Sequence, residues 1–270
     1  MKKFLRVSVL LLFALTLLFG VASADEITVA TTTSTVDTGL LDYLIPIFKE
    51  DTGIDLKYIY AGTGKALEYA RNGDADAVLV HAKSLEMQFI DEGYGLDRKE
   101  VMYNNFYIIG PADDPAGIKG LESASEAFTK IAETESLFVS RGDNSGTHVK
   151  ELLIWDEAGI APEGDWYIEA AAGIGPTLLM ANEKRGYALA DNSTYLSYTF
   201  DDKIDLEVMV EGDPILFNQY SVITVNPETI DTVNYEGAKA FLEWITSEKG
   251  QQLIADYKKF DTQLFYPNAE

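Results

Sequence analysis

Leu137-Phe138-Val139-Ser140, then Arg141-Gly142-Asp143-Asn144-Ser145-Gly146-Thr147, then the run from His148 to Ala158, is the stretch that decides the architecture. A short apolar β-like run enters a polar loop, and the loop opens a helical pattern. In an open α/β sheet, such a junction at the carboxyl end of a strand is where a ligand crevice forms. Its residue types suit an anion. Arg141 carries a planar fork of N–H donors that matches an oxyanion. Ser145 and Thr147 add hydroxyl donors, and Gly146 lets the backbone approach a ligand without a Cβ. Asp143 is placed to pair with Arg141. Read without a ligand, the same loop is a tight turn with an Asp–Arg pair and a Ser helix cap.

Working outward, the same order recurs toward the N-terminus. Ile27–Ala30 reads as a strand, Thr31-Thr32-Thr33-Ser34-Thr35 as a polar loop, and Gly39–Glu50 as a helix, with Leu40, Leu41, Leu44, Ile45 and Phe48 at helical spacing. Asp55–Tyr60 is a second strand, Ala61-Gly62-Thr63-Gly64 a turn, and Lys65–Asn72 a helix. Ala77–Val80 is a third strand, followed by a helix at Ser84–Glu92. Three repeats of this order predict an α/β lobe with a mainly parallel sheet. Five consecutive hydroxyl residues form poor helix and poor core. They serve either as N-caps or as ligand donors, with Ser34 placed for both.

Val101–Gly110 is a long strand that leaves this lobe. A second lobe follows, with helices at Ser123–Glu135, His148–Ala158 and Leu178–Arg185, strands at Leu137–Ser140 and Tyr187–Ala190, and a short helical piece at Ser193–Tyr198. Gly173-Ile174-Gly175-Pro176-Thr177 precedes a helix, with Thr177 as its opening hydroxyl. Leu206–Val210 and Gln219–Val225 return as strands, and Tyr235–Tyr257 is expected as one closing helix. The expected division is 25–105 with 211–270 as one lobe and 106–210 as the other, joined by two crossover strands.

The first 24 residues stand apart. Lys2, Lys3 and Arg6 precede the apolar run Val7–Phe19, and Ala22-Ser23-Ala24 has the small-residue pattern of a cleavage site. A secretory signal peptide over 1–24 is expected; a retained anchor is the alternative, although the run is short for a spanning helix. There is no cysteine in the chain. Disulfides, thiol catalysis and an N-terminal lipid anchor are therefore excluded. The chain carries 44 acidic against 21 basic residues, a net charge of −23, which becomes about −26 once 1–24 are removed. Such a balance argues against nucleic acid as a partner, and it requires any anion site to overcome the field of the whole protein.

Catalytic readings are thin. The two histidines, His81 and His148, make a zinc cluster improbable. Ser145 and His148 are the components of a hydrolase pair on paper, but no G-x-S-x-G turn holds them.

Ala30-Thr31-Thr32-Thr33-Ser34-Thr35 with Gly39-Leu40-Leu41, and Ser140–His148, resemble the paired signatures of tungstate-binding proteins of ABC importers. The likeness continues through Asn182-Glu183-Lys184, Val210-Glu211-Gly212-Asp213 and Leu264-Phe265-Tyr266-Pro267-Asn268, and so spans essentially the whole chain after residue 24. Phosphate-binding relatives carry a similar Arg-x-Asp-x-Ser-Gly-Thr run. The resemblance implies a type II periplasmic-binding-protein fold. It implies that Ser34, Thr63, Arg141, Ser145 and Thr147 donate to a tetrahedral oxyanion, with Thr33 and Gly146 close by; Thr177 is a weaker addition. It implies tungstate or molybdate as ligand, an ABC permease as partner, an extracytoplasmic monomer, no metal or other cofactor, and no enzymatic activity. Phosphate or molybdate binding on the same fold, an exported serine hydrolase, and a sensor module remain the rival readings. Tungstate carries no proton at neutral pH, so Asp143 is expected to hold Arg141 and not to face a ligand oxygen.

Overall fold

The computed structural model describes residues 26–259 and 261–270. The expected signal peptide lies outside the described residues.

The fold is α/β and two-lobed. In the first lobe, β1 (Glu26–Thr32) pairs in parallel with β2 (Asp55–Ala61) and with β3 (Ala77–Val80). Three helices follow these strands: α2 (Leu40–Thr52), α3 (Thr63–Arg71) and α4 (Lys83–Asp91). A five-residue helix, α1 (Thr33–Asp37), is inserted directly after β1. Side chains in each strand alternate between two cores, as a period of two requires. Ile27, Val29, Ala77 and Leu79 enter one, with Phe48 of α2, while Ala30, Val78 and Val80 enter the other, with Leu67 of α3 and Phe89 of α4.

The strand β4 (Gly95–Gly110) joins the lobes. Its first part runs antiparallel to β9 (Phe217–Val225), ending at Asn105↔Phe217; from Phe106 it runs antiparallel to β7 (Ala188–Asp191) and then to β8 (Glu207–Val210). The segment between β8 and β9, including the 3-10 turn Pro214–Leu216, is the second crossing. The sheet is thus mixed: parallel where strand–helix units repeat, antiparallel where the crossing strands join. The start of β4 at Gly95 lies six residues before the expected one, because its pairing with β9 extends a strand that its polar residues Asp97–Glu100 hide.

The second lobe adds α5 (Ala124–Glu133), β5 (Phe138–Ser140), α6 (Gly146–Glu157), β6 (Tyr167–Glu169), α7 (Ile174–Lys184) and α8 (Asn192–Phe200). Alternation recurs. Phe106, Ile108, Phe138 and Leu189 enter one core with Phe128 and Trp155; Ile109, Val139, Ala188 and Ala190 enter the other with Leu178 of α7. Each of the buried Leu, Ile, Val and Phe side chains contributes roughly 1.5–3 kcal/mol. Leu196 of α8 packs against a core of each lobe.

Three further expectations change. The closing helix is two: α9 (Tyr235–Ile245) and α10 (Glu248–Asp256). Ser247 accepts from Gly250 N at 3.2 Å and caps the second, while a Cβ at Gly250 would stand 2.3 Å from the Trp244 carbonyl oxygen, so the chain folds back there. Helix α7 starts at Ile174, ahead of Thr177, because Gly173 supplies an extended cap position. The Thr31–Thr35 segment is not a loop: β1 reaches Thr32 and α1 begins at Thr33.

Candidate functional site

Two strand-to-helix junctions, one per lobe, meet across the crossing strands. On the first, β2 ends at Ala61 and α3 starts at Thr63, with Gly62 as an N-cap that offers no side-chain bond. On the second, β5 ends at Ser140 and α6 starts at Gly146. Gly64 N donates to Asn144 O at 3.3 Å across the boundary. A Cβ on Gly62 would stand 3.0 Å from Cβ of Ser145, so the two turns touch backbone to backbone. Glycine at both positions permits this approach.

Arg141 is buried, at 4% exposure. Its NH2 donates to Asp143 Oδ2 at 2.5 Å and its Nε donates to Ala172 O at 3.2 Å. The guanidinium is thereby clamped by two of its five N–H groups, which leaves three for a ligand. Asp143 Oδ1 accepts from Ser145 N at 3.1 Å, so one carboxylate orients the fork and closes the turn. Asn144 takes the left-handed conformation, φ 55°, in that turn. Ser145 Oγ accepts from His148 N at 3.2 Å and caps α6; the hydroxyl proton stays available for donation. Gly146 and Thr147 form the buried first turn.

Ser34 is buried in α1 and shares hydrogen bonds with Thr32 Oγ1 at 3.1 Å and Tyr220 Oη at 3.2 Å. Thr33 beside it is half-buried. Thr63 is fully buried, and its Oγ1 has no hydrogen-bond partner among the described residues. A buried hydroxyl left unpaired costs about 1–3 kcal/mol, so it marks a place where a ligand or water belongs. Thr177 is employed otherwise: its hydroxyl donates to Gly173 O at 3.0 Å inside α7.

The sequence reading missed a third junction. Strand β7 runs into α8 at Asp191-Asn192-Ser193-Thr194, all buried. Asp191 Oδ1 accepts from the Ser193 hydroxyl at 2.5 Å and from Thr194 N at 2.9 Å. Asp191 Oδ2, Asn192 Oδ1 and Thr194 Oγ1 are buried without hydrogen-bond partners among the described residues. The signal was present as a cap pattern, Asp three residues before Thr after an apolar run, but such caps are common away from sites.

His81 directly follows β3; the sequence reading weighs a cleft-facing His81 against a satisfied structural one. Its Nδ1 bonds Asn218 Oδ1 at 2.9 Å, and its ring stacks on Tyr220 with centroids 4.7 Å apart. Burial pushes its pKa down to about 4, against the opposing pull of Asp191 and Asn218. The imidazole is therefore neutral at physiological pH. A cavity of about 600 Å³ opens beside it, between Ala82, Phe217 and Asn218 on one side and Gly146, Val149 and Lys150 on the other. Gly146 lines it but neither Arg141 nor Ser34 does, so this groove adjoins the Arg141 turn and does not hold the guanidinium.

Ser145 and His148 are not arranged as nucleophile and base. The contact between them is the backbone cap, and His148 Nδ1 accepts from Asn144 N at 3.0 Å. That nitrogen is spent on the turn, where it accepts from a backbone amide.

Helix starts from two α/β lobes that meet beside a buried, clamped guanidinium suit a protein that binds an anionic solute. The chain belongs to the PBP superfamily: a sequence profile for the PBP superfamily domain matches residues 20–249. It is 52% identical over 249 residues to the tungstate-binding protein TupA of Peptoclostridium acidaminophilum, covering 90% of this chain and 86% of that one. Among solved structures, the tungstate-binding protein TupA from Desulfovibrio alaskensis G20 is 46% identical with a TM-score of 0.78, covering 92% of this chain and 100% of that one. The structure of the tungstate ABC transporter from Geobacter sulfurreducens is 44% identical with a TM-score of 0.79, covering 86% of this chain and 98% of that one.

Proposed function

We propose that this protein captures tungstate outside the cytoplasmic membrane and delivers it to the permease of an ABC importer. The observation that carries the reading is the meeting of the Gly62–Gly64 and Asn144–Gly146 turns beside a buried Arg141 and an unpartnered Thr63 hydroxyl. Tungstate-binding relatives similar over nine-tenths of the chain support it. Residues 1–24 act as an export signal, 25–105 with 211–270 form one lobe and 106–210 the other, and the protein works as a monomer.

The ligand set is Ser34, Thr63, Arg141, Ser145 and Thr147, with Thr33 and Gly146 alongside; Thr194 joins them from the third junction. Thr177 is dropped, since its proton is committed to Gly173. The anion enters between the lobes and exchanges its water for fixed donors. Arg141 supplies the formal positive charge, and the starts of α3 and α6 supply partial ones. Enclosure lowers the local dielectric and strengthens each bond. Asp143 holds Arg141 and does not receive a ligand proton; its two oxygens already accept from Arg141 and Ser145 N. That arrangement favours a dianion with no proton over hydrogen phosphate. Hinge motion at residues 103–106 and 211–217 opens the crevice.

Calorimetric titration with tungstate, molybdate, sulfate and phosphate tests the reading. Tight binding of tungstate with phosphate excluded is expected. Preference for phosphate, or no heat with any of the four, sinks it.

A further inference from the structure

Glu151 sits on α6, five residues beyond Gly146, and is 1% exposed. Tyr167 Oη donates to its Oε1 at 2.7 Å and Trp155 Nε1 at 3.2 Å. The Ser140 hydroxyl also bonds the carboxyl. Every one of these donors is neutral. The groups acting on it come from three elements: Ser140 of β5, Tyr167 and Glu169 of β6, and Trp155 of its own helix. Among the described residues no cation is one of the main groups acting on it, and the charged one, Glu169, has the same sign. A buried carboxylate so placed ionises reluctantly, and burial pushes it up to about 7.

Two routes connect this carboxyl to the anion junction. The first is Ser140. Its Oγ accepts from Gly142 N at 3.2 Å, so the hydroxyl that meets Glu151 also anchors the turn bearing Arg141. Glu169 is the register partner of Ser140, and a Cβ on Gly142 would stand 2.8 Å from Cβ of Glu169. The second route is the helix. Glu151 and the amides of Gly146 and Thr147 lie on the same short stretch of α6, so a dianion at the helix start and a charge on Glu151 repel through a dry interior. His148, between them, is half-exposed, and burial lowers its pKa against the opposing pull of Asp143 and Glu169.

We propose that Glu151 is a positioning residue of the Arg141 turn that takes up a proton when the oxyanion is captured, so that capture weakens as the pH rises through neutrality. The proposal rests on the anion-binding reading above. Linkage sets the sign. The bound dianion favours the neutral carboxylic acid, and reciprocally the neutral acid favours the bound dianion. Affinity is therefore highest where Glu151 is already protonated.

The test is calorimetric titration of the purified protein with micromolar sodium tungstate between pH 6.5 and 8.5, in pairs of buffers of different ionisation enthalpy. The expected result is net proton uptake near pH 7 and a roughly fivefold weakening of binding across the range, the low end of ordinary coupling. Glu151→Gln keeps the acceptor for Tyr167 and Trp155; it should bind tungstate with no proton uptake and a flat pH profile. Tyr167→Phe provides a second check: it removes a bond that favours the ionised form, so the pH midpoint should move up. Tungstate binding without proton uptake, or uptake unchanged in Glu151→Gln, overturns the proposal and leaves the tungstate reading standing. No tungstate binding at any pH overturns both.

Discussion

His81 and Gly146 touch across the boundary between the lobes: a Cβ built on Gly146 would stand 2.5 Å from Cε1 of the imidazole and 2.6 Å from Nδ1. The ring cannot retreat, because Asn218 holds Nδ1 and Tyr220 stacks on its face. Asn218 Nδ2 in turn donates to Asn104 Oδ1 at 2.6 Å, and Asn104 Nδ2 donates to Ser193 Oγ at 3.1 Å. A buried polar chain thus runs from one wall of the crevice through both crossing strands to the other.

Gly146→Ala should hold the lobes apart. Overpacking of this kind costs about 1–3 kcal/mol, or roughly 5- to 150-fold in tungstate affinity when it is felt only on closure. Small-angle scattering should show no contraction on adding tungstate, while the melting temperature without ligand stays within about 3 °C of the parent. Normal contraction and affinity would show that the seam yields easily.

Arg141→Lys keeps the charge and loses the fork. Two N–H groups of Arg141 serve Asp143 and Ala172, and the other three are left for the proposed ligand. A lysine ammonium has three donors in all and cannot do both. Tungstate affinity should fall by about two orders of magnitude, as expected for lost hydrogen bonds to a charged group. Equal affinity for the parent and the lysine variant would remove the guanidinium from the site.

Glu151 also predicts the pH dependence of stability. Its pKa rises from the ordinary 4.5 to about 7 in the folded protein. A carboxyl whose folded value lies above its unfolded one favours the fold while protonated; that contribution is full below about pH 4.5 and is lost as the pH climbs to about 7. At about 1.4 kcal/mol per pH unit the loss is on the order of 3 kcal/mol. Urea titrations at pH 5 and pH 8 should find Glu151→Gln more stable than the parent at pH 8 and nearly equal to it at pH 5. A pH-independent difference would contradict this.

Gly175→Ala should destabilise the second lobe without touching the ligand. A Cβ there would stand 1.9 Å from the Tyr198 hydroxyl oxygen, whereas at Gly173 it would meet nothing within 4 Å. A loss of about 1 kcal/mol is expected for the first substitution, the low end of overpacking, because the clash falls on the tip of the half-buried Tyr198 side chain. Thermal melts of the two alanine variants, compared side by side, check it.

Much of the fold could be read from local pattern. The runs Ile27–Ala30, Ala77–Val80 and Leu137–Ser140 are short, mostly apolar and followed by more polar residues, and each is a strand that leads into a helix. The ends of elements were less legible. Asp97–Glu100 look like surface loop, yet pairing with β9 makes them strand; Ser247, two residues past Ile245, was a cap in plain sight that a continuous apolar face concealed.

By itself the sequence determined the strand–turn–helix order, the acidic character, the absence of thiol chemistry and the chemistry of the Arg141 turn, because these depend on residue type and near-neighbour spacing. The tertiary structure alone decided which turns face each other. Pairing of β4 with β9 and then with β7 brings Asp191–Thr194 to the second lobe's edge of the crevice, and contact with His81 gives Gly146 its role. Burial without a partner at Thr63 and burial without a cation at Glu151 likewise arise only when segments distant in sequence exclude water together.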